Sequence, residues 1–281
     1  MDPLEHFEFS QSSLQDFEDC HKRFQFRYLQ HIAWPAIQAE PARENEKLIQ
    51  RGDRFHRLAQ QYLIGVPEDR LTRMAEADED ENLLRWWQNF LDDIPAWLEG
   101  SRFVEVDLGA PLGQFRLVAK YDLVLIRPDG RAVIFDWKTS QHRPGRDTLL
   151  NRLQTRVYPY LLAQAGASLN QGKAIQPDAI EMIYWFAEPD QPPERLEYNR
   201  ERYQSDEQYL HTLIEQIQHF KPDDFIKSES ERPCGYCVYR SLCGRGEKAA
   251  DLSTGDDFDF ETGAISDLDI NLEQIGEISF S

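Results

Sequence analysis

The segment Gln114–Ser140, QFRLVAKYDLVLIRPDGRAVIFDWKTS, restricts the possible folds more than any other. Two runs rich in Val, Ile, Leu and Phe, Phe115–Arg127 and Arg131–Thr139, flank Pro128-Asp129-Gly130. This is a three-residue hairpin loop whose last residue supplies a left-handed backbone. The register that sets Arg127 opposite Arg131 also sets Asp122 opposite Asp136 on one face, with Cβ atoms about 5 Å apart. Alternation puts Lys138 on that face, two residues beyond Asp136. Facing carboxylates repel, and a divalent cation between them, with Lys138 beside it, relieves the repulsion. The alternative is a solvated acid pair with Lys138 as an ordinary ion-pair partner, an arrangement worth little. Context favours the cation: the charges interrupt strands that are otherwise apolar, with Val124, Leu125, Ile134 and Phe135, as in a buried central hairpin.

A chain of 281 residues with 41% hydrophobic content can bury one large α/β core or two modest ones. Its apolar runs fall short of a membrane span, and MDPLEHFEFS lacks the basic start and apolar core of a signal peptide, so a cytoplasmic location is expected. The net charge of −19 argues against coating nucleic acid by bulk attraction. The charge is uneven, however: residues 247–281 hold ten acids and one lysine. That tail reads as disordered, and its acidic-aromatic composition suits docking on a basic partner or on the protein's own cleft. The stretch after the hairpin is instead basic, with Lys138, His142, Arg143, Arg146, Arg152 and Arg156. A basic strip beside paired carboxylates suits phosphate-backbone chemistry.

Around the hairpin, Phe9–Leu14 opens a helix on serine N-caps, with Leu14, Phe17, Phe24 and Tyr28 at helical spacing and Cys20 in mid-helix. Residues 35–50 read as loop. The next helix carries Gly52 and His56, where His56 either caps a core face or faces a ligand, and Gly52 permits close approach one turn away. Trp86, Trp87, Phe90 and Trp97 mark a core helix over 83–98. Residues 103–108 read as a strand, and its Glu105 is a further acid within reach of the hairpin face. A helix over about 148–165 sets Gln154 and Tyr158 on one face and is expected to kink or stop at Pro159. A strand over 179–187, a Pro-rich connection over 188–200 and a helix over 201–220 follow. This order predicts an α/β fold with a central mixed sheet flanked by helices.

Cys234-Gly-Tyr-Cys237-Val-Tyr-Arg-Ser-Leu-Cys243 holds three of the four cysteines, and Cys20 is the fourth. Outside an oxidising compartment this spacing reads as a metal or cluster site. Structural Zn²⁺ and [4Fe–4S] are both compatible with four thiolates. Either would join the N- and C-terminal segments.

In order, the chain presents FSQSSLQDFEDC, Gly52-x3-His56, Asp122, Asp136-Trp137-Lys138, Gln154-x3-Tyr158 and C-x2-C-x5-C. This set resembles the PD-(D/E)XK nuclease superfamily, in its RecB-like, iron–sulfur-containing branch. That branch includes the nuclease domains of recombination helicase–nucleases and the CRISPR adaptation nucleases. His21 stands where the branch usually has Pro, and Ala119 where it often has Gly; neither change removes a ligand. The resemblance implies a restriction-endonuclease-like core over residues 1–246, with 247–281 as the tail. It implies Mg²⁺ or Mn²⁺ on His56, Asp122, Asp136 and the Trp137 backbone carbonyl, with Lys138 acting on water and phosphate. Gln154 and Tyr158 would line the nucleic-acid side, where the basic strip supplies Arg143, Arg152 and Arg156. A [4Fe–4S] cluster would sit on Cys20, Cys234, Cys237 and Cys243. The expected activity is metal-dependent cleavage of DNA at single-stranded or frayed ends in repair or recombination. The chain shows no G-x4-GK[ST] motor motif, so it either acts alone on single-stranded or frayed ends or is delivered by a helicase or repair partner. The alternative is a non-catalytic DNA-end-binding or adaptor subunit.

Overall fold

The computed structural model describes residues 4–32, 42–140, 143–246 and Ala250, without the side chains of residues 42–44 and Tyr236. Six strands form one mixed sheet: β1 (Glu8–Ser10), β2 (Ser101–Leu112), β3 (Phe115–Ile126), β4 (Ala132–Lys138), β5 (Ile180–Phe186) and β6 (Glu194–Glu197). Their order is β1-β3-β4-β5-β6, with β2 on β3 as well. Eight α-helices are described: α1 (Gln11–Asp19), α2 (His21–Phe24), α3 (Ala42–Leu63), α4 (Glu68–Glu76), α5 (Glu81–Asp93), α6 (Arg146–Asn151), α7 (Leu153–Ala165) and α8 (Arg200–His219). The fold is therefore the mixed α/β layer structure expected, and none of its described helices is long and apolar enough to cross a membrane.

The two faces of the sheet bury separate cores. Leu14 and Phe17 of α1, Val157 and Leu161 of α7, and Leu210 and Ile214 of α8 pack with Tyr121, Ile134 and Tyr184 on one face. On the other, Phe55 of α3, Leu71 of α4, and Trp86 and Phe90 of α5 pack with Leu123, Phe135 and Trp185. The aromatic rings there keep their polar ends paired: Trp86 Nε1 donates to Glu188 at 3.0 Å and Trp185 Nε1 to Asp93 at 3.0 Å.

The hairpin has the expected register from Leu123↔Phe135 through Ile126↔Ala132, turned by Gly130 at φ 86°. The pairing ends at Leu123↔Phe135, however, so the expected facing pair of Asp122 and Asp136 is not part of the ladder. Other expectations are corrected. Residues 42–50 are the first turns of α3 rather than loop, and the Pro-rich connection contains β6. The helix expected over 148–165 is broken at Arg152, whose backbone is extended, so α6 and α7 are separate. It does not stop at Pro159; α7 runs on to Ala165, because Val157, Tyr160, Leu161 and Leu162 are buried on either side of the missing N–H and the packing outweighs it. Cys20 is not in mid-helix but at the extended break between α1 and α2, with φ −165° and ψ 108°. There Arg23 of α2 pairs back to Asp16 at 2.8 Å and Asp19 at 2.5 Å, docking one helix on the other. Ser10, the last residue of β1, caps α1: its Oγ accepts from Ser13 N at 3.1 Å while Ser13 Oγ accepts from Ser10 N at 2.9 Å.

Phe90 is completely buried, with the rings of Trp137, Trp87 and Trp185 centred 5.4, 5.6 and 5.8 Å away. Phe90→Ala leaves a cavity behind the strand that carries Asp136, and we expect a loss of about 3–5 kcal/mol of unfolding free energy, read by denaturant titration.

Candidate active site

The sheet divides where the hairpin's charges lie. β3 and β4 pair only as far as Leu123↔Phe135; from there β4 follows β5 to Lys138↔Phe186, while β3 follows β2 and takes β1 on its vacated edge at Arg116–Val118. The backbone of β4 is held up to its last residue, since Lys138 O accepts from Ala187 N at 2.8 Å. Asp122 closes the opening with a side chain in place of a ladder bond: its Oδ2 accepts from Trp137 N at 2.8 Å.

Polar groups converge in this opening. Asp136 and Lys138 are 2% and 4% exposed, so their charges survive only by pairing. Lys138 Nζ lies 2.9 Å from Asp136 Oδ2 and donates to Gln154 Oε1 at 3.0 Å, and Gln154 Nε2 donates to Asp136 Oδ1 at 2.6 Å. Both ends of one buried amide thus fix the acid and the lysine. Behind them lies the ring of Tyr184, its centroid 5.6 Å from Lys138 Nζ. Its hydroxyl is 2.7 Å from Thr155 Oγ1, and burial, with the charge of Asp136, pushes its pKa well up. From α3, His56 Nδ1 is 3.4 Å from Asp122 Oδ1 and Nε2 is 3.1 Å from Trp137 O. Gly52 lets the helix come this close, because a Cβ there would lie 2.8 Å from Thr139 Oγ1.

A model of the PD-(D/E)XK nuclease superfamily matches residues 8–244. The chain belongs to that superfamily. It is accordingly a nuclease by family, a hydrolase of phosphodiester bonds, in a superfamily that typically uses divalent metals such as Mg²⁺. Among solved structures it is similar to the protein SSO0001, at 13% identity and TM-score 0.40, covering 86% of this chain and 87% of that one. It is also similar to a candidate exonuclease from Eubacterium rectale, at 11% identity and TM-score 0.48, covering 79% and 84%. Comparison with curated proteins finds no match.

The nuclease fold thus brings His56, Asp122, Asp136, the Trp137 carbonyl, Lys138 and Gln154 into one opening. Tyr158 lies one turn farther along α7, its ring centroid 4.8 Å from that of Tyr121, whose hydroxyl donates to Tyr158 O at 2.9 Å. Arg152 occupies the extended N-cap of α7, and its charge reaches the Tyr184 hydroxyl. Arg143 and Arg146 are both bonded to Glu194, and Arg156 Nη1 donates to the buried Asp206 at 2.8 Å. His142 lies outside the described residues. Glu105 pairs with Lys120 at 2.8 Å. Reading the sequence did not single out Thr139, Thr155, Tyr184 or Glu194. Only Tyr184 had a readable signal, a polar tip inside an apolar strand paired with the acid-bearing one.

Among the described residues no three His, Cys, Asp or Glu side chains are arranged to hold an ion. In the opening, Asp136 is turned to Lys138 and Gln154, while Asp122, His56 and the Trp137 carbonyl remain close together. Their donors, carboxylate and carbonyl oxygen with one imidazole, suit Mg²⁺ or Mn²⁺. The four cysteines are unbridged and line one cavity with Arg23, Lys227 and Arg240. Burial pushes the Cys234 and Cys243 thiols up and that of Cys237 up to about 11, against the opposing charge of Arg23 at Cys237. The N- and C-terminal segments meet there: Lys22 N donates to Ile226 O at 3.1 Å, Gln25 Nε2 to Pro222 O at 3.1 Å and Tyr239 OH to Ile32 O at 3.0 Å. Of the acidic tail only Ala250 lies within the described residues; its N–H donates to Gly235 O at 2.9 Å and its carbonyl accepts from Asn45 Nδ2 at 2.8 Å.

Gly52→Ala sets a helix-propensity gain of about 1 kcal/mol against the collision with Thr139. In a double-mutant cycle measured by thermal unfolding, we expect Gly52→Ala to be more favourable by about 1 kcal/mol when Thr139 is also Ala.

Proposed function

We propose that the protein is a divalent-metal-dependent deoxyribonuclease of the RecB-like, iron–sulfur-containing branch, cutting DNA at single-stranded or frayed ends in repair or recombination. The observation that carries this reading is the meeting of Asp122, Asp136, Lys138 and His56 where β3 and β4 part. We assign His56, Asp122, Asp136 and the Trp137 carbonyl as ligands of Mg²⁺ or Mn²⁺. The cation supplies Lewis acidity, making water more acidic and neutralising charge on the scissile phosphate.

The remaining chemistry belongs to the chain. Lys138, fixed between Asp136 and Gln154, is a compact positive charge that orients the attacking water and stabilises the negative charge that grows on phosphate. Gln154 holds acid and lysine at a set separation, so the geometry exists before the substrate arrives. Tyr158, Arg152, Arg143 and Arg156 are assigned to the nucleic-acid side. Arg143 and Arg156 act there through donors left over from Glu194 and Asp206, since a guanidinium has five. Residues 1–246 are taken as the nuclease domain and 247–281 as an acidic tail that docks on a basic partner or on the cleft. The protein acts alone on such ends or is delivered by a helicase or repair protein. For the cysteines we propose a structural [4Fe–4S] cluster, with Zn²⁺ as the other occupant. Four thiols around one cavity and the cations that would offset thiolate charge support a tetrathiolate centre.

The test is cleavage of labelled linear and circular single-stranded DNA by anaerobically purified protein with Mg²⁺, Mn²⁺ or EDTA. Cutting is expected to need the metal, to spare circles and to fall by about 100–1000-fold in Lys138→Ala. A folded wild type that cuts neither substrate with either metal would leave the adaptor reading in its place. Metal analysis addresses the cysteines: iron and sulfide in equal amounts, both lost in Cys237→Ser, are expected, and zinc instead would assign a tetrahedral structural site.

A further inference from the structure

β2 and β3 pair in one register from Ser101↔Ile126 to Leu112↔Phe115, with a single omission, Glu105 opposite Asp122. Glu105 has φ 50°, the left-handed region that residues with a Cβ rarely enter. His6, His31 and Gln171 share positive φ, but they lie outside strands; Glu105 is within one.

The omission changes which way the strands face. On β3, Leu117, Ala119 and Tyr121 point into the core beneath α7, and unbroken alternation would place Leu123 with them. Leu123 and Leu125 lie in the opposite core, and Val124 and Ile126 in the first. β2 switches likewise: Leu108 and Ala110 pack in the first core and Val104 against the second. The switch occurs at the pair that contains Asp122. Its carboxylate is the one that reaches Trp137 N and stands near His56. The Glu105 carboxylate does not enter the opening; it pairs with Lys120, whose side chain is 61% exposed.

We propose that Glu105 is a positioning residue of the active site: its left-handed backbone reverses the facing of β2 and β3 at Asp122 and so turns that carboxylate across the opening to Trp137 and His56. The role lies in the backbone conformation and not in the acid. Strain held at this position is offset by the pairing on both sides of it. The effect on cleavage rests on the nuclease reading; the effect on Asp122 does not.

The experiment compares Glu105→Gly, which adopts φ 50° freely, with Glu105→Val, which resists it. Two readouts are taken: hydrogen exchange of the Trp137 amide, and kcat and KM for linear single-stranded DNA with Mn²⁺. In Glu105→Val we expect exchange at Trp137 at least 10-fold faster and kcat about 100-fold lower, with KM within threefold of wild type. Glu105→Gly is expected to match wild type within threefold in both. Unchanged exchange and kcat in Glu105→Val would overturn the proposal. So would a Glu105→Gly variant that loses both, a result that decides the matter even if the valine variant does not fold. A wild type without cleavage counts against the nuclease reading alone, and the exchange comparison still tests the position of Asp122.

Discussion

The structure depends on one strand having more neighbours than one edge can serve. β3 takes β2 along one side and divides the other between β4 and β1, so β3 and β4 must separate below Leu123↔Phe135. Separation leaves backbone donors without a ladder, and a buried donor left unsatisfied costs about 1–3 kcal/mol. The Asp122 carboxylate answers the one at Trp137. One side chain therefore both ends the pairing and stands at the site the ending creates.

Charge follows from the same geometry. Asp136 and Lys138 continue on β4 past the separation, against the core under α7, where neither could stay ionised alone. Gln154 reaches them from the start of α7, and that start exists because the chain is extended at Arg152. The site is also where local preferences are overruled: a left-handed glutamate in a strand, a buried lysine, and a glycine inside α3 that admits Thr139. Such violations persist where the surrounding structure outweighs them, and here two separate cores press the sheet from both faces.

The acidic balance of the chain and its basic strip are reconciled by pairing. Glu194 holds Arg143 and Arg146, and Asp206 holds Arg156, so these charges of the basic strip are offset by buried carboxylates and do not make a broad positive field. Arg23 is fixed by Asp16 and Asp19 and lines the cysteine cavity. The hydrogen bonds that join residues 22–32 to 222–239 bring Cys20 to the cysteines more than two hundred positions later.

Periodicity and turn chemistry made the hairpin, its register, the core helices around Trp86 and Ile214, and the acid-x-Lys spacing legible in the residues alone, because each depends on neighbours within a few positions. That His56 and Gln154 join Asp122, Asp136 and Lys138 was legible only as a family pattern. What the tertiary structure decided was everything set by competition for strand edges and core space: β1 and β6, the breaks at Cys20 and Arg152, the helix carried through Pro159, and the reversal at Glu105. No local signal marks these, since the residues there are neither Gly nor Pro where the chain bends, and Pro where it does not stop. Their conformations are imposed by partners distant in sequence, which local preference cannot report.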